Sequence, residues 1–376
     1  MVLIGLLYAW IGYPMTISLM APTRRCVKTP ATDKSSDWPH ITLLISAYNE
    51  EAVLPNKLEN ALALDYPTER LEVMVVSDAS TDRTDEIATA FAKRGVRLLR
   101  QPLRKGKTAA LNLAVPKAEG ELVVFTDADA LFIPSALKRL ARAFDDPATG
   151  FVSGRTVYIH HTEAVTVEAS NLYTKLEIFT KVRESRLGSC VGADGAIFAI
   201  RKALYQPLDT VDINDFVIPL QIITQGYKGK LIPQAVCIEE ASTEDAQAFD
   251  RQVRITNRTL RAIIKCRELL NPFRYPLFAF CLVSHKLMKF ASPFFLLGML
   301  LSNLVLVGHG IWFTLSIVGQ GLFYGMTIFV ALFPDYRRIR LLGIAFTFCL
   351  TNAAMLKGWI TFLRGRTYTT WLPGRA

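Results

Sequence analysis

Two aspartates one residue apart, Asp127 and Asp129, follow the run Glu121-Leu122-Val123-Val124-Phe125-Thr126. Four apolar residues in a row, two of them β-branched, read as a buried strand. Such a strand delivers both carboxylates to its C-terminal end, the edge at which open α/β sheets bind ligands. Two hard oxygen donors at that edge suit Mg²⁺ or Mn²⁺ held together with a substrate diphosphate. The competing role for either residue is a solvated aspartate in a turn.

Other stretches carry groups of the same chemical kind. Val73-Met74-Val75-Val76 runs into Ser77-Asp78-Ala79-Ser80-Thr81-Asp82. Asp78 at that strand tip can accept from a base N–H or a ribose hydroxyl, while Ser80 or Asp82 caps the next helix. Arg104-Lys105-Gly106-Lys107 places cations and a glycine before a helix, which suits phosphate, or else forms a solvated basic loop. It lacks the Gly-x₄-Gly-Lys spacing of a P-loop. Gly192-Ala193-Asp194-Gly195 joins small residues to an apolar strand and permits close approach of backbone to a ligand, or forms a tight turn into the core. Asn214-Asp215 opens an apolar helix, and on these residues alone a helix cap is the simpler role for Asp215. Arg251, Arg254, Arg258, Arg261 and Lys265 recur at helical spacing and share one face. That face is expected to lie at a membrane interface, touching lipid phosphates or a nucleotide diphosphate.

The elements that position these groups alternate. Strands are expected at Ile41–Ser46, Leu71–Val76, Val96–Arg100 and before Asp127. Helices are expected from Asn49 to about Leu64, and over Thr81–Lys93, Lys107–Ala114 and Val217–Thr224. Such alternation predicts an α/β fold with a doubly wound, mainly parallel sheet covered on both faces.

The chain has 376 residues, is 51% hydrophobic and has a mean hydropathy of +0.26, too apolar for an ordinary soluble protein of this size. The excess sits at the ends. Met1–Met20 carries no charged residue and is long enough to span a bilayer, with Tyr8, Trp10 and Tyr13 as interfacial anchors. It has no basic n-region, which disfavours a cleaved signal peptide. Further apolar segments run over 291–307, 311–333 and 341–363, and Pro276–Phe290 is expected to continue an interfacial belt. The flank at 24–28 and the loop at 335–340 are basic, whereas Gly308-His309-Gly310 carries no Lys or Arg. The positive-inside rule then puts the central domain in the cytoplasm, under a multi-pass arrangement in a plasma (inner) membrane. One conflict follows. Four full crossings export a tail that carries Arg364, Arg366 and Arg375, so either 341–363 is re-entrant or the rule fails there.

The expected organisation is an N-terminal transmembrane helix (1–22), a linker (23–40), a cytoplasmic catalytic domain (41–250), basic interfacial helices (251–290), transmembrane segments (291–363) and a basic tail (364–376). Six cysteines without a C-x-x-C fit reduced thiols in the cytoplasm. A net charge of +10 suits anionic lipid headgroups and anionic substrates. Nucleic acid is a poor alternative partner, and none is expected, since the sequence carries no signature for it.

In order along residues 40–290, these motifs resemble the membrane-bound inverting glycosyltransferases of family 2, which include hyaluronan, cellulose and poly-N-acetylglucosamine synthases. The matching pieces are Ser46-Ala47-Tyr48-Asn49-Glu50, the run from Val75 to Asp82, Arg104–Lys107 with Ala110-Leu111-Asn112, Thr126–Asp129, Gly192–Arg201, Asn214-Asp215 and Arg251–Arg254. The resemblance implies a GT-A type fold and a UDP-sugar donor, with N-acetylglucosamine or glucose as default sugars, and a divalent metal. It implies that Asp78 reads the uracil near Ala47 and Glu50, and that Lys107 helps place the nucleotide. Asp127 would contact nucleotide or metal, and Asp129 would ligate the metal. Gly192, Asp194 and Gly195 would line the acceptor site, Asp215 would be the catalytic base, and Arg251 and Arg254 would belong to the motif that grips the diphosphate.

Three residues depart from that pattern. Asn214 replaces the first acid of the usual pair, Arg251 stands where Gln is usual, and Ile255 replaces the Trp that lines the acceptor site in processive synthases. The expected reaction is therefore addition of one or few sugars to a lipid-linked or polysaccharide acceptor. A processive β-glycan synthase is the alternative. A nucleotide-binding pseudoenzyme that organises a polysaccharide-export complex is the alternative of another class.

Overall fold

The computed structural model describes residues 1–21, 38–159, 165–240 and 245–369. The basic flank at 24–28, most of the expected linker and Arg375 lie outside the described residues. One eight-stranded sheet organises the chain. Its strands are β1 (Ile41–Ala47), β2 (Leu71–Ser77), β3 (Val96–Arg100), β4 (Leu122–Asp127), β5 (Leu131–Phe132), β6 (Thr149–Ile159), β7 (Phe198–Arg201) and β8 (Lys228–Glu240), in the spatial order β3-β2-β1-β4-β7-β6-β8-β5.

The first half, β3-β2-β1-β4, is wholly parallel. Its strands read as near-continuous apolar runs because both faces are covered. Alternate residues serve opposite cores. Leu44, Met74, Val76, Val123 and Phe125 point into one cluster, and Leu43, Ile45, Val73, Val75 and Val124 into the other. The sheet is mainly parallel as expected, β6 and β8 pairing parallel as well, with antiparallel pairings confined to the second half. β7 runs antiparallel to both β4 and β6, and β5 antiparallel to β8. β6 and β8 lacked a readable signal, since polar residues and glycines interrupt them, and β5 is only two residues long.

Helices flank the sheet: α1 (Val2–Met20), α2 (Leu54–Leu62), α3 (Thr84–Ala90), α4 (Lys107–Ala114), α5 (Ala136–Arg142), α6 (Val165–Leu187), α7 (Asn214–Thr224) and α8 (Asp245–Lys265). The helix expected from Asn49 starts only at Leu54. Asn49 has φ 53°, and the amides of Asn49, Glu50 and Glu51 donate to Ser80, Thr84 and Asp82 instead of opening a helical turn. Asp82 caps α3 by accepting from the Thr84 amide at 3.0 Å.

The apolar ends form α1 and the helices α9 (Pro276–Phe290), α10 (Ser292–Leu306), α11 (Ile311–Leu332) and α12 (Arg340–Leu363). Three of them, α1, α11 and α12, are long and apolar enough to cross a membrane; α9 and α10, bent by 56°, make a fourth if taken as one span. α9 turns His285, Lys286 and Lys289 onto Glu177 of α6. Both ends of α12 attach to the charged helix α8. Before it, Arg337 pairs with Asp245. After it, Asn257 Nδ2 and Arg261 both donate to the Arg366 carbonyl. Between them Gly358 lies against Thr256, where an added Cβ would meet Thr256 Cβ at 2.6 Å and the Val253 carbonyl at 3.1 Å.

The expectation for the basic face of α8 is corrected in part. Arg258 donates to the Val211 and Asp212 carbonyls, Arg261 to the Arg366 carbonyl, and Lys265 pairs with Asp209 and Asp212 at 2.6 Å. These three cations hold protein, not lipid phosphate. Gly358→Val should wedge α12 off α8 and cost about 1–3 kcal/mol by overpacking. A thermal melt in detergent checks this, and a melting temperature unchanged from wild type would contradict the packing described.

Candidate active site at the carboxyl edge of the sheet

β1, β2 and β4 all end at one edge, and the loops that leave them gather the charged groups. Asp127 is the last residue of β4, opposite Ser46 of β1. Its carboxylate pairs with Lys107, the first residue of α4. Asp129 follows in the turn to β5. β8 runs alongside, with Leu131 opposite Ile238, so Glu239 falls beside that turn. Burial, and then the charges of Asp129 and Asp127, push Glu239 up to about 8. That shift reports how closely the negative charges are crowded.

Among the described residues no three Asp, Glu, His or Cys side chains close around one point as a ready metal cage. Asp127 and Asp129 nonetheless offer hard oxygen donors where negative charge is in excess. This fits a Mg²⁺ or Mn²⁺ that takes one or two carboxylates and completes its shell with phosphate and water.

Asp215 behaves otherwise than a cap. It lies in the first turn of α7, whose N-terminus has no side-chain cap bond among the described residues, and its Oδ1 is buried with no hydrogen-bond partner among them. Burial raises its pKa above the usual carboxylate value, opposed by the charges of Lys107 and Lys181 and reinforced by Asp194. The neighbouring Asn214 Nδ2 is a second buried group with no partner among the described residues.

The small-residue loop wraps this pair. The Ala193 amide donates to the Asp215 carbonyl at 2.8 Å. A Cβ on Gly195 would lie 3.2 Å from Asp215 Oδ2, and Gly192, at φ +77°, would press one onto the Phe216 ring at 2.9 Å. Glycine at both positions therefore lets the backbone lie against the acid. Asp194 is spent on structure, accepting from the Thr156 amide and hydroxyl at 2.8 Å each.

Other expected residues hold the frame. Asp78 is 1% exposed and accepts from Gln101 Nε2, the Lys105 amide and the Gly106 amide at 2.7–2.9 Å. Its carboxylate thereby shapes the Arg104–Lys107 loop. The Lys105 and Gly106 amides are taken up by Asp78, and Gly106 reaches φ +89° to make the turn. The Arg104 guanidinium stacks on the Tyr48 ring at 3.8 Å. The Ala47 carbonyl accepts from the Asp78 amide, and Glu50 sits in the adjoining loop. Arg251 hydrogen-bonds Tyr158 of β6 and feels Glu239 and Asp127. Arg254, one turn on, is half-buried beside Arg251. The edge thus brings together Lys107, Asp127, Asp129, Asp215 and Arg251, with Gly192 and Gly195 packed around Asp215.

Three groups were missed from the sequence: Lys57, Lys181 and Glu239. Lys57 left a signal, since it falls on the same face of α2 as Leu54, Leu58 and Ala61 and is fully buried there. Lys181 is buried and donates to the Ala193 carbonyl at 3.3 Å.

Residues 42–208 match Glycosyl transferase family 2. The probable glycosyltransferase YdaM of Bacillus subtilis is 26% identical over 219 residues, which are 55% of this chain and 52% of that protein. The beta-monoglucosyldiacylglycerol synthase of Synechocystis is 31% identical over 180 residues, 44% of this chain and 36% of that one. The matches thus span about half or less of these curated relatives. A solved structure of the mannosyltransferase PcManGT from Pyrobaculum calidifontis, in complex with GDP-Man and Mn²⁺, superposes with a TM-score of 0.72 at 24% identity, covering 96% of this chain and 98% of that one. Residues 42–208 thus form a glycosyl transferase family 2 domain, and the sheet with its flanking helices has the GT-A fold.

Proposed function

We propose that this protein is an inverting glycosyltransferase working at the cytoplasmic face of a plasma membrane. It moves a sugar from a nucleotide-diphosphate donor, a UDP-sugar in our reading, to a lipid-linked or glycan acceptor. The observation that carries this reading is Asp215: a buried carboxylate with an unpartnered oxygen and a raised pKa, facing Lys107 and Arg258 and belonging to a different element from the Asp127/Asp129 pair. A general base needs more proton affinity than a solvated carboxylate has, and burial shifts Asp215 in that direction.

Asp215 takes a proton from an acceptor hydroxyl as that oxygen attacks the anomeric carbon, and Gly192 and Gly195 keep the approach to the acid narrow. Attack from the face opposite the nucleotide inverts the centre. Lys107, Arg251 and Arg254 bring positive charge to the side where the diphosphate departs. Asp127 and Asp129 would hold a divalent cation there, and the cation would neutralise charge on the leaving diphosphate.

A lipid acceptor is supported by the attachment of α8, which carries Arg251 and Arg254, to an apolar helix, and by the glycolipid synthase among the relatives. Because both ends of α12 bond to α8, we read α12 as lying on the catalytic side. The basic tail then stays in the cytoplasm, and the conflict with the positive-inside rule disappears.

Detergent-purified protein with Mn²⁺ should release nucleotide from one member of a panel of UDP-sugars and GDP-mannose, and Asp129→Ala should abolish the release. Turnover by Asp129→Ala equal to wild type would refute the site. A second outcome concerns Asp215→Asn. Activity should fall about 100-fold or more, the usual weight of a general base. Its folded pKa is raised, so its stabilising contribution is full only below its unfolded pKa of about 3.9 and is lost as pH rises through the raised value. At neutral pH the substitution should therefore raise the melting temperature while removing activity. A variant that is both less stable and fully active would refute the assignment.

A further inference from the structure

We propose that Lys57 is a positioning residue for the metal-binding turn, an ammonium that holds both flanks of Thr126-Asp127-Ala128-Asp129-Ala130 from beneath. The inference rests on the functional reading above. α2 buries Leu54, Lys57, Leu58 and Ala61 on one face, and Lys57 is 0% exposed. Its Nζ donates to Thr126 Oγ1 at 2.9 Å and to the Ala130 carbonyl. Each of these contacts falls on a residue directly next to an aspartate. The same ammonium lies 4.4 Å from the centre of the Phe132 ring, and its charge acts on Asp127 and Asp129.

Asn60, one turn further along α2, extends the clamp. Its Nδ2 donates to the Phe132 carbonyl at 2.9 Å, and its Oδ1 accepts from the Phe132 amide at 2.8 Å. α2 thus fixes the turn and the short strand after it through two polar side chains.

A structural account of Lys57 alone is poor. Burying an ammonium is costly, and apolar replacements of buried charges are often neutral or stabilising. The helix face would pack as well with Met. What Lys57 supplies and Met does not is a fixed distance between the two ends of a turn that must present two carboxylates to one cation. Groups that orient metal-binding side chains from behind typically contribute 10–100-fold in metal affinity.

The experiment is a Mn²⁺ titration followed by electron paramagnetic resonance, on full-length protein in detergent with UDP present. It compares wild type, Asp129→Ala, Lys57→Met and Thr126→Val. Lys57→Met should bind Mn²⁺ about 10–100-fold more weakly, with a melting temperature equal to or above wild type and unchanged affinity for UDP without metal. Thr126→Val, which removes one of the two contacts and keeps the shape, should weaken Mn²⁺ binding in the same direction and by less. Wild-type Mn²⁺ affinity in both variants would overturn the role of Lys57 while leaving the functional reading in place. If Lys57→Met does not fold, wild-type affinity in Thr126→Val overturns it alone. Wild type that binds no Mn²⁺, or binds it as tightly as Asp129→Ala does, would overturn the functional reading and the inference with it.

Discussion

Negative charge crowded at one sheet edge is the constraint that the rest of the structure answers. Asp127, Asp129, Asp194, Asp215 and Glu239 lie close enough to act on one another. Carboxylates out of bulk water repel strongly unless cations or hydrogen bonds intervene. Each acid here is answered differently. Asp127 takes Lys107, and Asp194 is held by Thr156. Asp215 keeps a raised pKa and an unpartnered oxygen, and Glu239 is pushed up to about 8. Beneath them, burial pulls Lys57 down to about 8, with Cys237, Asp127 and Asp129 acting to keep it charged. Several carboxylates with perturbed pKa values gathered at one sheet edge mark it as a candidate functional site.

The two halves of the sheet divide the work. The parallel half supplies the rigid strand ends, and the mixed half brings in α7 and the 192–195 loop that surrounds it. That loop is tied to the apolar part of the chain. Glu184 of α6 accepts from the Val191 amide at 3.0 Å and from Tyr13 of α1 at 2.7 Å, and contacts His285 at 2.7 Å. A movement of α1 against α9 would therefore reach the backbone next to Asp215 through one carboxylate. On the other side, Arg258 grips the loop that leads into α7, and α8 is fixed at both ends to α12.

Much of the parallel half was legible because short, largely apolar runs with β-branched residues, such as Ile41–Ser46 and Leu122–Phe125, fit strands covered on both faces, and a glycine before Lys107 marks where α4 begins. β8 was not legible, since Lys228–Glu240 contains a proline, a glycine and four charged residues and draws its stability from β6 and β5 rather than from its own pattern. The first turn of α2 was misplaced because Asn49 adopts a left-handed conformation to bond the β2 loop, a tertiary demand that no local propensity reports. Among the site residues, Asp127 and Asp129 followed from strand-end logic. Asp215 was ambiguous from sequence, because a carboxylate opening a helix is usually a cap, and only its unpartnered oxygen separates the two roles. Asp78 shows the converse, a residue with the right chemistry for a ligand that is consumed in shaping its own loop.

The central claim is that one buried carboxylate on α7 acts from the acceptor side, apart from the aspartates at the end of β4. The most direct test is the anomeric configuration of the first product formed from an α-linked nucleotide sugar, read by proton NMR before any equilibration. The account predicts a β-configured product, the mark of a single displacement assisted by one base. An α-configured product would require attack from the face of the departing nucleotide and would contradict the role given to Asp215.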